Sequence, residues 1–154
     1  MKKYLFAALG AVAAFGIFLS VTNEPMANGQ VRVDQPAVDF TLTDTKGNQV
    51  SLSDYKGKYV VMEWINYDCP FVGKHYESGN MQALQKIYRN KGVVWLAICS
   101  NKPGSQGNFE DEEIHRRWDD HKSTLTAYLK DEDGTVGRLY AATNTPHMYV
   151  VNPE

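Results

Sequence analysis

The stretch NYDCPFVGKHY, residues 66–76, sets Cys69 directly before Pro70. A cysteine attacks as its thiolate, so its reactivity depends on what stabilises the anion. A helix start does this, through unpaired backbone N–H groups and the positive end of the dipole. Pro70 has a fixed φ and no N–H, which suits the first helical position. Cys69 therefore reads as a nucleophile for disulfide exchange or for peroxide reduction. Lys74 adds a positive charge about a turn on, whereas Asp68 acts the other way, since a neighbouring carboxylate disfavours a thiolate. The helix effect is expected to outweigh Asp68 by a modest margin. His75, six residues on, is a weak candidate base, because that spacing turns it away from Cys69; a solvated helix face accounts for it. The plain alternative for Cys69 itself is a buried, inert thiol.

A redox pair would place a second cysteine three residues on, and Val72 stands there. Any adduct on Cys69 must then be resolved by an external thiol or by Cys99, the other cysteine of the chain. A peroxide would leave a sulfenic acid, which a second thiol condenses with. Cys99 reads equally well as a small apolar residue in a buried strand. A Cys69–Cys99 bridge would require Cα atoms within about 7 Å.

Other chemistries find little support. The 154 residues suit one domain with a core, and 43% hydrophobic with 22% charged residues is ordinary globular composition. A formal net charge of -2, with no basic stripe and no phosphate loop, gives nucleic acid no handle. His115, His121 and His147 share no metal-binding spacing, although His147 is a candidate neighbour of Cys69 because it follows Pro146. The acidic run Glu110–Glu113 lacks the alternating oxygen ligands of a calcium loop and reads as a helix start. Neither a metal nor a cofactor is expected.

The elements that must position Cys69 follow from the apolar pattern. Met1-Lys2-Lys3, then a nearly unbroken apolar and small-residue run from Tyr4 to Val21, reads as a secretory signal or an N-terminal membrane anchor ending near residue 27. Either places the domain outside the cytoplasm, periplasmic or anchored facing the extracytoplasmic side, where disulfide chemistry is possible. A polar linker follows, and the domain begins at about residue 31. Phe40-Thr41-Leu42 and Val50-Ser51-Leu52 alternate around a Lys46-Gly47-Asn48 turn, as a hairpin does. Tyr59–Ile65 and residues 93–100 read as strands buried on both faces, joined by helix from Pro70 that breaks at Ser78-Gly79 and resumes with Asn80 as cap. Leu84, Ile87 and Tyr88 are expected to face the core. Strand, helix, strand makes a βαβ unit with parallel strands. Residues 109–129 read as helix with Ile114 and Trp118 on its buried side, residues 135–143 as a short helix, and His147–Val151 as a last strand. Trp64 and Trp95 are expected in the core with Trp118. Glu63 interrupts a buried strand, which costs free energy unless it is paired, solvated or protonated.

In this order, PAVDFTLTDTKGNQVSLSDYKGKYVVMEW, a cysteine at a strand-to-helix turn and Thr145-Pro146 before a late strand resemble the redoxin branch of thioredoxin-like proteins. That branch includes the alkyl hydroperoxide reductase and thiol-specific antioxidant group and exported thiol-disulfide oxidoreductases. The resemblance covers about residues 31–154. It implies an α/β fold with a central mixed sheet flanked by helices, and a cis Thr145-Pro146 bond beside Cys69. It also implies a substrate groove shaped by Pro70, Phe71, Thr145 and Pro146. The partners implied are protein or small-molecule thiols and disulfides, or peroxides, with an external thiol as reductant. The chain departs from the pattern at Val72, at Asp68 where Trp is common, and at Met62 and Asn66 where peroxiredoxins carry Pro and Thr or Ser. The family also adds a strand and a helix after VVNPE, so a chain ending at Glu154 is expected to be a fragment whose last strand has an open edge. A thiol oxidoreductase of antioxidant character is the expected function; the alternative is a binding module on a redoxin scaffold with weak or lost catalysis.

Overall fold

The computed structural model describes residues 31–154, so the expected signal or anchor lies outside the described residues. Its strands are β1 (Thr41–Asp44), β2 (Gln49–Ser51), β3 (Val60–Trp64), β4 (Val94–Cys99), β5 (Ala127–Lys130) and β6 (His147–Val151). Its helices are α1 (Pro70–Glu77), α2 (Asn80–Arg89), α3 (Asp111–Asp120) and α4 (Thr135–Leu139). The six strands form one mixed sheet in the order β2-β1-β5-β4-β3-β6. The central β3, β4 and β5 are parallel, while β1 and β6 flank them antiparallel.

The near-continuous apolar character of β3 and β4 follows from cover on both faces. Met62, Trp64, Leu96, Ile98 and Leu129 point to one side, where Val136 and Tyr140 pack on them. Val61, Ile65, Trp95, Ala97 and Tyr128 point to the other, beneath Val72 and Tyr76 of α1, Met81 of α2 and Ile114 of α3. The strand pleat assigns successive residues to these two cores. Trp64 and Trp95 are buried as expected, and Trp118 packs partly buried against the second core.

Three readings of the sequence need correction. Residues 127–130 are strand β5, not a continuation of the helix. The helix stops at Asp120, and Lys122 at φ 52° turns the chain back toward the sheet. Thr126 then enters the ladder, its N–H donating to Trp95 O at 2.7 Å and its Oγ1 accepting from Trp95 N at 2.9 Å. In α2 the cap position belongs to Gly79 in a left-handed conformation, φ 74°, and Asn80 is already helical. The buried stripe runs through Met81 and Gln85, Leu84 packs partly buried beside it as expected, and Ile87 and Tyr88 are 50% and 43% exposed. Lastly, Leu52 opens a 3-10 turn, Leu52–Tyr55, rather than extending β2.

Candidate active site

The cysteine turn is built by Asn66. Its Oδ1 accepts from Asp68 N at 2.8 Å and its carbonyl accepts from Cys69 N at 2.9 Å. The chain therefore reverses between the end of β3 and the start of α1. Cys69 occupies the cap position in extended backbone geometry and Pro70 is the first helical residue. The Cys69 carbonyl accepts from Gly73 N at 2.9 Å. The thiol is half-buried and donates to the Thr145 carbonyl at 3.2 Å. Thr145-Pro146 is cis, as the resemblance implies, and Phe71 beside the cysteine is 69% exposed.

Burial pushes the Cys69 thiol up, while the Thr145 side chain and the backbone N–H groups of Val72 and Phe71 pull it down, and the net direction is down. The Thr145 carbonyl can only accept, so it serves the protonated thiol. The N–H groups at the helix start serve the thiolate, and that part of the balance is the anion-stabilising one.

The remaining sequence candidates fall on different sides of this turn. Val72 is 1% exposed and fills the second core. Cys99 is 4% exposed and donates to Gly107 O at 3.4 Å, and burial raises its thiol. His147 opens β6 opposite Trp64 and stacks on Tyr149, ring centroids 4.7 Å apart. His75 is half-buried and Lys74 exposed on α1. Met62 is wholly buried, and Asn66 spends its side chain on the turn. Neither supplies the hydroxyl or ring that peroxiredoxins place there.

Gly107 seats the β4–α3 loop on the cysteine turn. It has φ +85°, and a Cβ there would lie 2.3 Å from Asn66 Cγ. Gly107→Ala is expected to destabilise the domain by about 2 kcal/mol, through left-handed strain and displacement of Asn66. Thermal unfolding tests this, and an unchanged midpoint would show that the loop does not brace the turn.

The sequence marks Glu63 as a costly group in a buried strand but not its partners, and it gives no sign of the Arg117–Asp68 pair. Glu63, 0% exposed, lies under α1 and α2. It accepts from Tyr76 Oη at 3.1 Å, Trp95 Nε1 at 2.8 Å and Gln85 Nε2 at 3.4 Å. All three donors are neutral, and burial wins over them in raising its carboxyl. Arg117 of α3 reaches back to Asp68 Oδ1 at 2.8 Å, and its Nε donates to Glu113 Oε1 at 2.7 Å. The guanidinium also lies over the Phe109 ring, 4.0 Å from the centroid. The EDEE signal marked this helix start, but nothing in one sequence says that Arg117 and Asp68, 49 positions apart, would meet.

With this geometry in place, the sequence matches the AhpC/TSA family over residues 33–154. The chain belongs to the AhpC/TSA family. Thiol-disulfide oxidoreductase ResA of Geobacillus kaustophilus is similar to it, 33% identical over 103 residues, or 67% of this chain and 56% of that protein. A probable phospholipid hydroperoxide glutathione peroxidase of Solanum lycopersicum is 38% identical over 79 residues, 50% of this chain and 46% of that one. The chain spans about half the length of the curated relatives it matches. Among solved structures, the thioredoxin domain of a thiol-disulfide oxidoreductase from Bacteroides vulgatus superposes with a TM-score of 0.63 at 23% identity, covering 81% of this chain and 84% of that one. An uncharacterized conserved protein from Geobacillus kaustophilus gives 0.68 at 30% identity, covering 77% and 62%. The fold of this AhpC/TSA protein is thus α/β and thioredoxin-like.

Proposed function

We propose that this AhpC/TSA protein exchanges disulfides through Cys69 alone, with an external thiol completing each turnover. The observation that carries this reading is the placement of the Cys69 thiol at the start of α1, against Thr145 and beside exposed Phe71. The Cys69 thiolate attacks one sulfur of a substrate disulfide. A mixed disulfide forms, and the second substrate sulfur leaves as a thiolate that takes up a proton. An external thiolate then attacks the mixed disulfide at the substrate sulfur, expelling Cys69 as a thiolate and leaving the substrate sulfur bonded to the external thiol in a new disulfide. Pro70, Phe71, Thr145 and Pro146 form the groove that receives the substrate. Val72 supplies no second thiol, and the burial and raised thiol of Cys99 favour an external resolving thiol over Cys99. Asn66, committed to the turn, argues for disulfide over peroxide.

Peroxide reduction is the second reading, favoured by the glutathione peroxidase name carried by the tomato relative. There the thiolate attacks a peroxide oxygen, giving sulfenic acid and releasing an alcohol or water. One external thiol condenses with the sulfenic acid and expels water; a second releases Cys69. Export is proposed on the Lys2-Lys3 start and the apolar run from Tyr4 to Val21. No helix among the described residues is long and apolar enough to cross a membrane.

The test is mass spectrometry of Cys69 after treatment with a disulfide or with a peroxide. A mixed disulfide without sulfenic acid is the expected result; sulfenic acid alone would move the assignment to peroxide. A companion experiment is alkylation against pH. Because the Cys69 thiol is lowered from the usual 9.0, its rate is expected to reach half-maximum below that pH. Cys99, raised and buried, is expected to react only on unfolding. A Cys69 that reacts no faster than a free cysteine at neutral pH would sink the nucleophile assignment.

A further inference from the structure

Asp68 is the charged group of the cysteine turn that works against a thiolate, alongside burial and the Thr145 carbonyl. A carboxylate one residue before the nucleophile disfavours the anion, and the backbone that carries it is fixed by the bond from Asp68 N–H to Asn66 Oδ1. The fold answers with Arg117. Its guanidinium is held on three sides: Asp68 at 2.8 Å, Glu113 at 2.7 Å and the face of Phe109 at 4.0 Å. Its side chain is 24% exposed, so partial burial works against its charge; the two carboxylates more than offset this and hold it charged. The second grip on this turn is the β4–α3 loop, through Gly107 against Asn66.

We propose that Arg117 is a positioning residue for Cys69, cancelling the Asp68 charge beside the nucleophile and pinning the cysteine turn to α3. The inference rests on the reading of Cys69 as nucleophile. Arg117 does not touch the thiol; it acts through Asp68. Few other charges compete. From α1 there are exposed Lys74, half-buried His75 and, at the far end of the helix, exposed Glu77. From α3 there are Glu113 and, paired to it, Arg116. The β4–α3 loop carries exposed Lys102 and Glu110. Residues 143–146 carry no ionisable side chain, and His147 after them is stacked on Tyr149.

The experiment is a charge cycle on the whole protein: Arg117→Gln, Asp68→Asn and the double variant. It reads the ionisation of Cys69 by ultraviolet thiolate absorbance and by alkylation rate at neutral pH. Arg117→Gln leaves Asp68 uncompensated and is expected to slow alkylation about 3- to 10-fold; Asp68→Asn is expected to speed it by a similar factor. The double variant is expected to return to near wild type. Opposite signs are the signature, because loss of a merely structural tether would move both single variants the same way. Shifts of one sign, or a double variant as slow as Arg117→Gln, would overturn the proposal. Should Arg117→Gln fail to fold, Arg117→Lys replaces it, expected to keep the rate close to wild type. Asp68→Asn also decides alone, since a thiol no more acidic than wild type refutes the charge argument. A wild-type Cys69 as inert as a free thiol would sink the nucleophile reading instead, while the absorbance titration would still report whether the charges split.

Discussion

Cys69→Ser is expected to lower turnover with a disulfide substrate and external thiol by on the order of 10³-fold or more, because the nucleophile itself is removed. The fold should be unaffected. The thiol is half-buried with a single hydrogen bond, to the Thr145 carbonyl, which a serine hydroxyl can also make. Thermal unfolding should therefore coincide with wild type while activity vanishes. No variant at Cys99 should do the same, since its sulfur fills the second core beneath α3. Retention of turnover in Cys69→Ser would remove the redox reading. Intact partner binding with no turnover in either protein would point to a binding module on a redoxin scaffold.

Glu63→Ala is expected to cost about 3 kcal/mol or more, lowering the melting temperature by about 10 °C. Tyr76 Oη and Trp95 Nε1 would lose their buried acceptor and Gln85 Nε2 one of its two, and each unsatisfied group costs about 1–3 kcal/mol. The donors sit on Tyr76 of α1, Gln85 of α2 and Trp95 of β4, so the carboxyl ties both helices to the sheet. Its pH signature has a definite sign. Burial raises the folded-state value above the usual 4.5. The stabilisation is complete below that value and is lost as pH rises through the folded one. Wild type should therefore lose stability from about pH 4.5 upward through this group, and Glu63→Gln should remove that part of the slope. Urea midpoints across the range check it; parallel curves for the two proteins would show that Glu63 does not titrate on folding.

Much of this architecture is legible in the sequence because local rules and tertiary packing agree. β3 and β4 are apolar on both faces, α1 begins at a proline, and β6 spans the predicted His147–Val151. Where they disagree, the sequence misleads. β5 is four residues long and follows an acid-base helix without a proline or glycine to mark the break; the parallel ladder with β4 makes it a strand. On α2, hydrophobicity favours Ile87 and Tyr88, but the helix presents Gln85 to the sheet, because the buried Glu63 below it needs a donor.

By itself the sequence determines that Cys69 precedes a proline at a strand-to-helix turn, and that no cysteine stands at position 72. Those facts are local, and the proposed disulfide exchange with an external thiol rests on them. Only the tertiary structure decides what surrounds the sulfur. It buries Cys99, seals Val72 into the core and brings the Thr145 carbonyl to the thiol from 76 positions away. It also sets Arg117 on Asp68 from 49 positions away. The physical reason is that thiol ionisation depends on charges and donors within a few ångströms. At those distances the neighbours are chosen by strand order and helix packing, which one chain's spacing does not encode.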